Sequence, residues 1–217
     1  MLKFGDWINR KRHNRGYGVQ SPSAFFFVTQ VLRERLPYYA YPTLDRAVGG
    51  NRAKRKHFRE LFRITNHLQP TSCISVGSAG AACAMAAARP SVPHYAIAPS
   101  AMNAEAKELL TAGGCHIIES TEQLPAIIGH TGGIGMLYIN ATDEAYGLIK
   151  AVLPYTNKNS VIIVDGLNRS KATKEWWQQL IGDKTTVITY DMHSYGLLFF
   201  DKERITQHYT LKRYPLQ

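Results

Sequence analysis

The stretch Cys73-Ile74-Ser75-Val76-Gly77-Ser78-Ala79-Gly80-Ala81-Ala82 passes from an apolar run through a small-residue turn into an alanine-rich segment. Small residues in such a turn let the backbone approach a ligand, as in doubly wound α/β proteins that hold nucleotide-like cofactors. A cofactor with ribose hydroxyls also requires acidic acceptors at nearby strand ends. Here the second apolar run ends in Ala98-Pro99 and the fourth in Asn140-Ala141, so the acids are missing. Each lost charged acceptor costs about 1.5–3 kcal/mol, and two together weaken binding by about two to four orders of magnitude.

A second set of residues has the chemistry for proton transfer. Asp165, Asp191 and His193 fall in loops at strand ends, where α/β sheets place ligands. The ordinary pKa of a histidine suits His193 to deprotonating a substrate hydroxyl, although a loop histidine is equally a surface residue. Asp165 has two readings, a site residue or a cap ahead of Ser170. The three cysteines, Cys73, Cys83 and Cys115, lie in or beside apolar segments and have no metal-ligand spacing. They read as reduced, buried thiols of a cytoplasmic protein.

The elements that must carry these groups belong to a chain of 217 residues, 45% hydrophobic and 19% charged, long enough for a substantial core. No apolar run approaches the ~20 residues of a membrane span. The segment 24–28 is too short for a secretory signal. The net charge of +10 is concentrated early, at Lys3, Arg10, Lys11, Arg12 and Arg15 and again at Arg52, Lys54, Arg55, Lys56, Arg59 and Arg63. Such an excess attracts nucleic acid, phosphorylated ligands or an acidic partner, or serves as a solvated face. Phe4, Trp7 and Tyr17 interleave with the first cluster, but no nucleic-acid-binding motif accompanies them.

Residues 1–20 read as a basic arm. Ser21-Pro22-Ser23 opens a helix running to about residue 32, and 37–42 is a proline- and tyrosine-rich connection. Gly49-Gly50 marks a turn, and an amphipathic helix from Arg52 ends at Pro70. Beyond it, strands at 73–76, 94–98, 115–118, 136–139 and 160–164 alternate with helices at 81–88, 101–111, 121–127, 144–153 and 171–181. This spacing predicts a parallel sheet with right-handed crossovers and helices on both faces. Runs at 185–189 and 196–200 are joined too closely for a crossover helix and are therefore antiparallel. Residues 207–213 form one more short strand or an extended tail. The expected fold is a Rossmann-like, doubly wound α/β sheet of about seven strands, mostly parallel, with an antiparallel C-terminal hairpin. Residues 1–69 add an arm and helices packed on the 70–217 core.

This layout resembles the class I S-adenosylmethionine-dependent methyltransferases. Asn14-Arg15-Gly16-Tyr17-Gly18-Val19-Gln20-Ser21-Pro22-Ser23-Ala24-Phe25 is similar to the HGVHSPFVF opening of a methyltransferase-like family common in Bacteroidetes. The ending from Trp176-Trp177 through Asp191 to Gly196-Leu197-Leu198-Phe199-Phe200 is similar to that family's ending. The resemblance implies S-adenosylmethionine as cofactor, held around Ser75, Gly77, Ser78, Ala79, Gly80, Ala98 and Asn140. It also implies departures. Ser75, Ala98 and Asn140 stand where acids are expected, and Ala81 stands where the catechol-type O-methyltransferases carry a second glycine. Asn140, Asp165 and Gly166 match a metal-binding Asp, Asp and Asn set, and one carboxylate makes a poor divalent-cation site, so no metal is expected.

Three functions remain open at this stage. One is an active methyltransferase, possibly O-methyltransferase-related, with Asp165 and His193 in acid–base roles. Another is a scaffold or binding protein of the same fold that has lost methyl transfer. The third is a basic module for nucleic acid or phosphates. The methyl acceptor and the oligomeric state, homo-oligomer included, are not encoded in any motif.

Overall fold

Polar residues ahead of each apolar run set where the helices begin. In the computed structural model, which describes residues 21–211, the Ser21 hydroxyl accepts from the Ala24 amide and opens α1 (Pro22–Phe26). The basic residues of the arm, with Phe4, Trp7 and Tyr17, lie outside the described residues. The segment read as one helix to residue 32 instead widens into a π turn over Phe27–Val31, where the Leu32 amide reaches back to the Phe27 carbonyl at 3.0 Å. The 37–42 connection is shorter than expected. Tyr41 and Pro42 already belong to α2 (Tyr41–Val48), because proline suits a first helical turn. Gly49 and Gly50, at φ +61° and +75°, then turn the chain, and the Asn51 side chain caps α3 (Arg52–Leu68). That helix stops where Gln69 takes a left-handed conformation ahead of Pro70.

Eight strands follow: β1 (Cys73–Val76), β2 (His94–Ile97), β3 (His116–Ile118), β4 (Met136–Asn140), β5 (Val161–Asp165), β6 (Ile188–Asp191), β7 (Tyr195–Phe199) and β8 (Gln207–Thr210). The intervening helices are α4 (Ala79–Ala88), α5 (Ala104–Ala112), α6 (Leu124–His130), α7 (Ala145–Val152) and α8 (Lys171–Ile181). The sheet order is β3-β2-β1-β4-β5-β7-β6-β8. Strands β1 to β5 pair in parallel, and β7 is antiparallel to both β5 and β6. The eighth strand, β8, runs parallel to β6 at the edge. The 185–189 run is displaced to Ile188–Asp191, because Thr185 bonds the Asp183 carboxylate instead of entering the sheet.

Alternation along each strand builds a core on both faces. Met136, Tyr138, Ile163 and Leu197 meet α1 to α5, whereas Leu137, Ile139, Ile162 and Leu198 meet α6, α7 and α8. Arg63 ties the N-terminal helices together from inside this packing. It is 8% exposed, and its guanidinium donates to the Val31 and Leu32 carbonyls, each at 3.0 Å, which satisfies the end of the π turn. Trp176 and Trp177 are buried against the second face, as their place at the helix–sheet boundary implies.

Candidate functional site

After β3 the chain crosses to the far side of β1, so the order reverses between β1 and β4. Ligands of open α/β sheets bind in the crevice beyond the strand ends at such a point. Gly77 and Asn140 flank it. Gly77 sits at φ +78°, a conformation that costs glycine little, and a Cβ there would meet the Asn140 amide at 3.2 Å.

The polar groups of this turn are bound within the chain. The Ser75 hydroxyl, 1% exposed, donates to the Ser78 carbonyl at 2.7 Å. The Gly77 amide donates to the Ile97 carbonyl, and the Gly77 carbonyl accepts from Asn140 Nδ2 at 2.7 Å. Ser78 caps α4 through the Ala81 amide, while the Ala79 amide donates to Ser100 Oγ at 3.2 Å. Gly80 faces protein: a Cβ there would come within 2.7 Å of the Phe58 ring from α3. Its missing side chain therefore admits helix packing. Ala98 is exposed beyond β2 at φ +42°, with no polar side chain to offer.

Asp165 pairs in register with Asn140 across β4 and β5. It is no helix cap. The cap of α8 is the Ser170 hydroxyl, and Asp165 accepts from the Tyr138 hydroxyl at 2.8 Å. His57 Nε2 of α3 lies 3.5 Å from Asp165 Oδ2 and 3.4 Å from the Tyr138 hydroxyl. His57 Nδ1 is buried with no hydrogen-bond partner among the described residues. Burial pushes the Asp165 carboxyl up, but bonds and charge from His57, the Tyr138 hydroxyl and the Arg169 guanidinium hold it below the usual range. Burial and the Asp165 charge push the Tyr138 phenol well above its ordinary value, so it stays a neutral donor.

The fold does not make His193 the printed partner of Asp165. It occupies the β6–β7 turn at φ +72°, with its amide donating to Asp191 Oδ1 at 2.7 Å. The histidine that meets Asp165 is His57, which the sequence reading left out. It lies four residues before Leu61 and seven before Ile64, on the buried stripe of α3, and this spacing was the available signal. Ser100 and Tyr138 were also missed. Among the described residues no group of three or more His, Cys, Asp or Glu could hold a metal ion, and no helix is long and apolar enough to cross a membrane. Cys73 and Cys83 are buried, and burial pushes both thiols up to about 12.

No family model matches the chain, and no curated protein matches it in sequence. Solved structures do match in shape. The SAH-bound methyltransferase PaMTH1 of Podospora anserina superposes with a TM-score of 0.58 at 14% identity, covering 92% of this chain and 98% of that one. The O-methyltransferase TomG of Streptomyces achromogenes, in complex with SAM, gives 0.56 at 12% identity over 81% and 94%. The O-methyltransferase of Bacillus cereus, in complex with SAH, gives 0.54 at 10% identity over 80% and 95%. (SAM and SAH are S-adenosylmethionine and S-adenosylhomocysteine.)

The residues present do not fit that cofactor in the way the resemblance implies. Ser75 and Asn140 each donate to a backbone carbonyl of the turn, and Ala98 accepts nothing. What the chain shares with these enzymes is the class I methyltransferase fold, an α/β Rossmann-like sheet with an antiparallel C-terminal hairpin.

Proposed function

We propose that this chain is a methyltransferase-like protein in which S-adenosylmethionine binding is weakened or lost, and that it works as a binding protein of the same fold. One observation carries the reading: the β1–α4 turn meets its own hydrogen-bonding needs through Ser75, Asn140 and Ser100. A ligand entering there must displace these bonds, and it finds no carboxylate at position 75, 98 or 140. Absence of two charged acceptors lowers affinity by about two to four orders of magnitude. The opening motif around residues 14–25 supports grouping the chain with the HGVHSPF-like proteins.

A second reading retains methyl transfer, and the paired His57 and Asp165 favour it. With Nε2–H directed at Asp165 and Tyr138, the Nδ1 lone pair of His57 is left to accept a proton, a better-oriented base than His193. Calorimetric titration of the full chain with S-adenosylmethionine and S-adenosylhomocysteine separates the two. The binding-protein reading expects no saturable heat and no thermal stabilisation below millimolar ligand. Micromolar binding of either compound overturns it and leaves the enzyme.

A further inference from the structure

The opposite edge of the sheet, where β4 and β5 begin, holds a cavity of about 510 Å³. Its floor is aromatic. Phe27 of the π turn, Tyr190 of β6 and Phe199 of β7 lie with ring centroids 5.0, 5.7 and 6.0 Å apart. The His67 ring extends this wall, 5.9 Å from Phe27. Burial lowers the His67 pKa, so near neutral pH it presents a ring without charge. Phe27 and Tyr190 are each only 4% exposed, which makes the floor preformed rather than adaptable.

The rim carries the charge. Arg204 is fixed in place, donating to Asp201 Oδ2 at 2.9 Å and to Ser23 Oγ at 3.1 Å. Asp201 is the one carboxylate among the described lining residues, and Arg204 already engages it. Lys158 stands opposite, 3.6 Å from Glu203 in an ion pair whose side chains are 62% and 77% exposed. Such a pair contributes little and leaves the ammonium available. Phe26 and Ile205, neighbours in sequence of Phe27 and Arg204, are 51% and 81% exposed and border this region with apolar surface.

We propose that this cavity is a second binding site, for a small molecule with a flat aromatic ring and one anionic group. The volume suits a ligand of that size. The ring covers the Phe27–Tyr190–Phe199 floor, and the anion faces Lys158 and the anchored Arg204. A bare anion leaves the aromatic floor uncovered, and a neutral ring leaves the cations without a counter-charge. The site lies across the sheet from Gly77 and Asp165 and does not depend on what happens there.

Two probes that share a ring and differ in charge test the idea. Indole-3-acetate and tryptamine are titrated into the full chain by calorimetry, with ligand-detected NMR as a second readout. Indole-3-acetate is expected to bind saturably below millimolar concentration, and tryptamine at least about tenfold more weakly. Lys158→Glu, at an exposed position that leaves the melting temperature unchanged, is expected to weaken indole-3-acetate by about tenfold or more. Arg55→Glu, in the N-terminal half of α3, is expected to leave binding as it was. No saturation at millimolar indole-3-acetate overturns the proposal. So does equal binding of tryptamine, or a loss that follows Arg55→Glu instead of Lys158→Glu.

Discussion

The two edges of the sheet present opposite kinds of surface. At the carboxyl edge the β1–α4 turn has the shape of a cofactor site, yet its groups are engaged by Ser78, Ser100, Asn140 and Phe58. At the amino edge a cavity without precedent in the turn motif keeps an aromatic floor and a lightly paired lysine facing solvent. Backbone shape and binding capacity are thus separable. Shape persists because Gly77, the strand pairing and the alanine-rich helix are needed for packing, whereas capacity depends on a few side chains.

Putting acids back is the strongest way to break this contrast. The double variant Ala98→Asp with Asn140→Asp returns two carboxylates and removes the amide that engages the Gly77 carbonyl. Aspartate also tolerates the positive φ of position 98 better than most residues. S-adenosylmethionine affinity is expected to rise by about two to four orders of magnitude, read by calorimetry. If affinity does not move, closure of the turn by Ser100 outweighs the missing charges, and adding Ser100→Ala isolates that effect.

A smaller effect tests whether Gly80 serves packing. Gly80→Ala places a methyl against the Phe58 ring and is expected to destabilise the fold by about 1–3 kcal/mol. The melting temperature then falls by about 2–4 °C for each kcal/mol. Phe58→Leu in the same background should recover much of the loss. A neutral Gly80→Ala would return that glycine to the ligand side of the comparison.

The smallest effect is a pH dependence. The folded Asp165 carboxyl titrates below its unfolded value of 3.8. Its contribution is present above that value and is lost as pH falls through the folded value, since the unfolded chain binds the proton first. Wild type should therefore lose more stability than Asp165→Asn in urea melts taken from neutral pH into this acid range. Parallel curves for the two proteins would show that His57 and Tyr138 do not stabilise the carboxylate.

Much of this architecture is legible in the chain. The apolar runs of β1, β4 and β5 are strong because parallel central strands are buried on both faces. The β6–β7 pairing follows from a connection too short for a crossover. Local chemistry that competes with these signals is harder to read. The Asp183–Thr185 contact shifts β6, and Pro42 opens a helix where the proline–tyrosine stretch looks like a connection. His57 is visible on the stripe of α3, but spacing alone does not distinguish a core histidine from one aimed at a carboxylate.

The sequence by itself determined the alternating α/β plan, the positive-φ turn at Gly77 and the absence of acids at positions 75, 98 and 140. These are properties of local conformation and residue type. Only the tertiary structure decided that Asn140 closes onto Gly77, that His57 meets Asp165, and that Ser23, His67, Lys158 and Arg204 share one cavity. Those contacts join residues far apart in the chain, and their partners are fixed by how helices and strands pack, which periodicity does not encode.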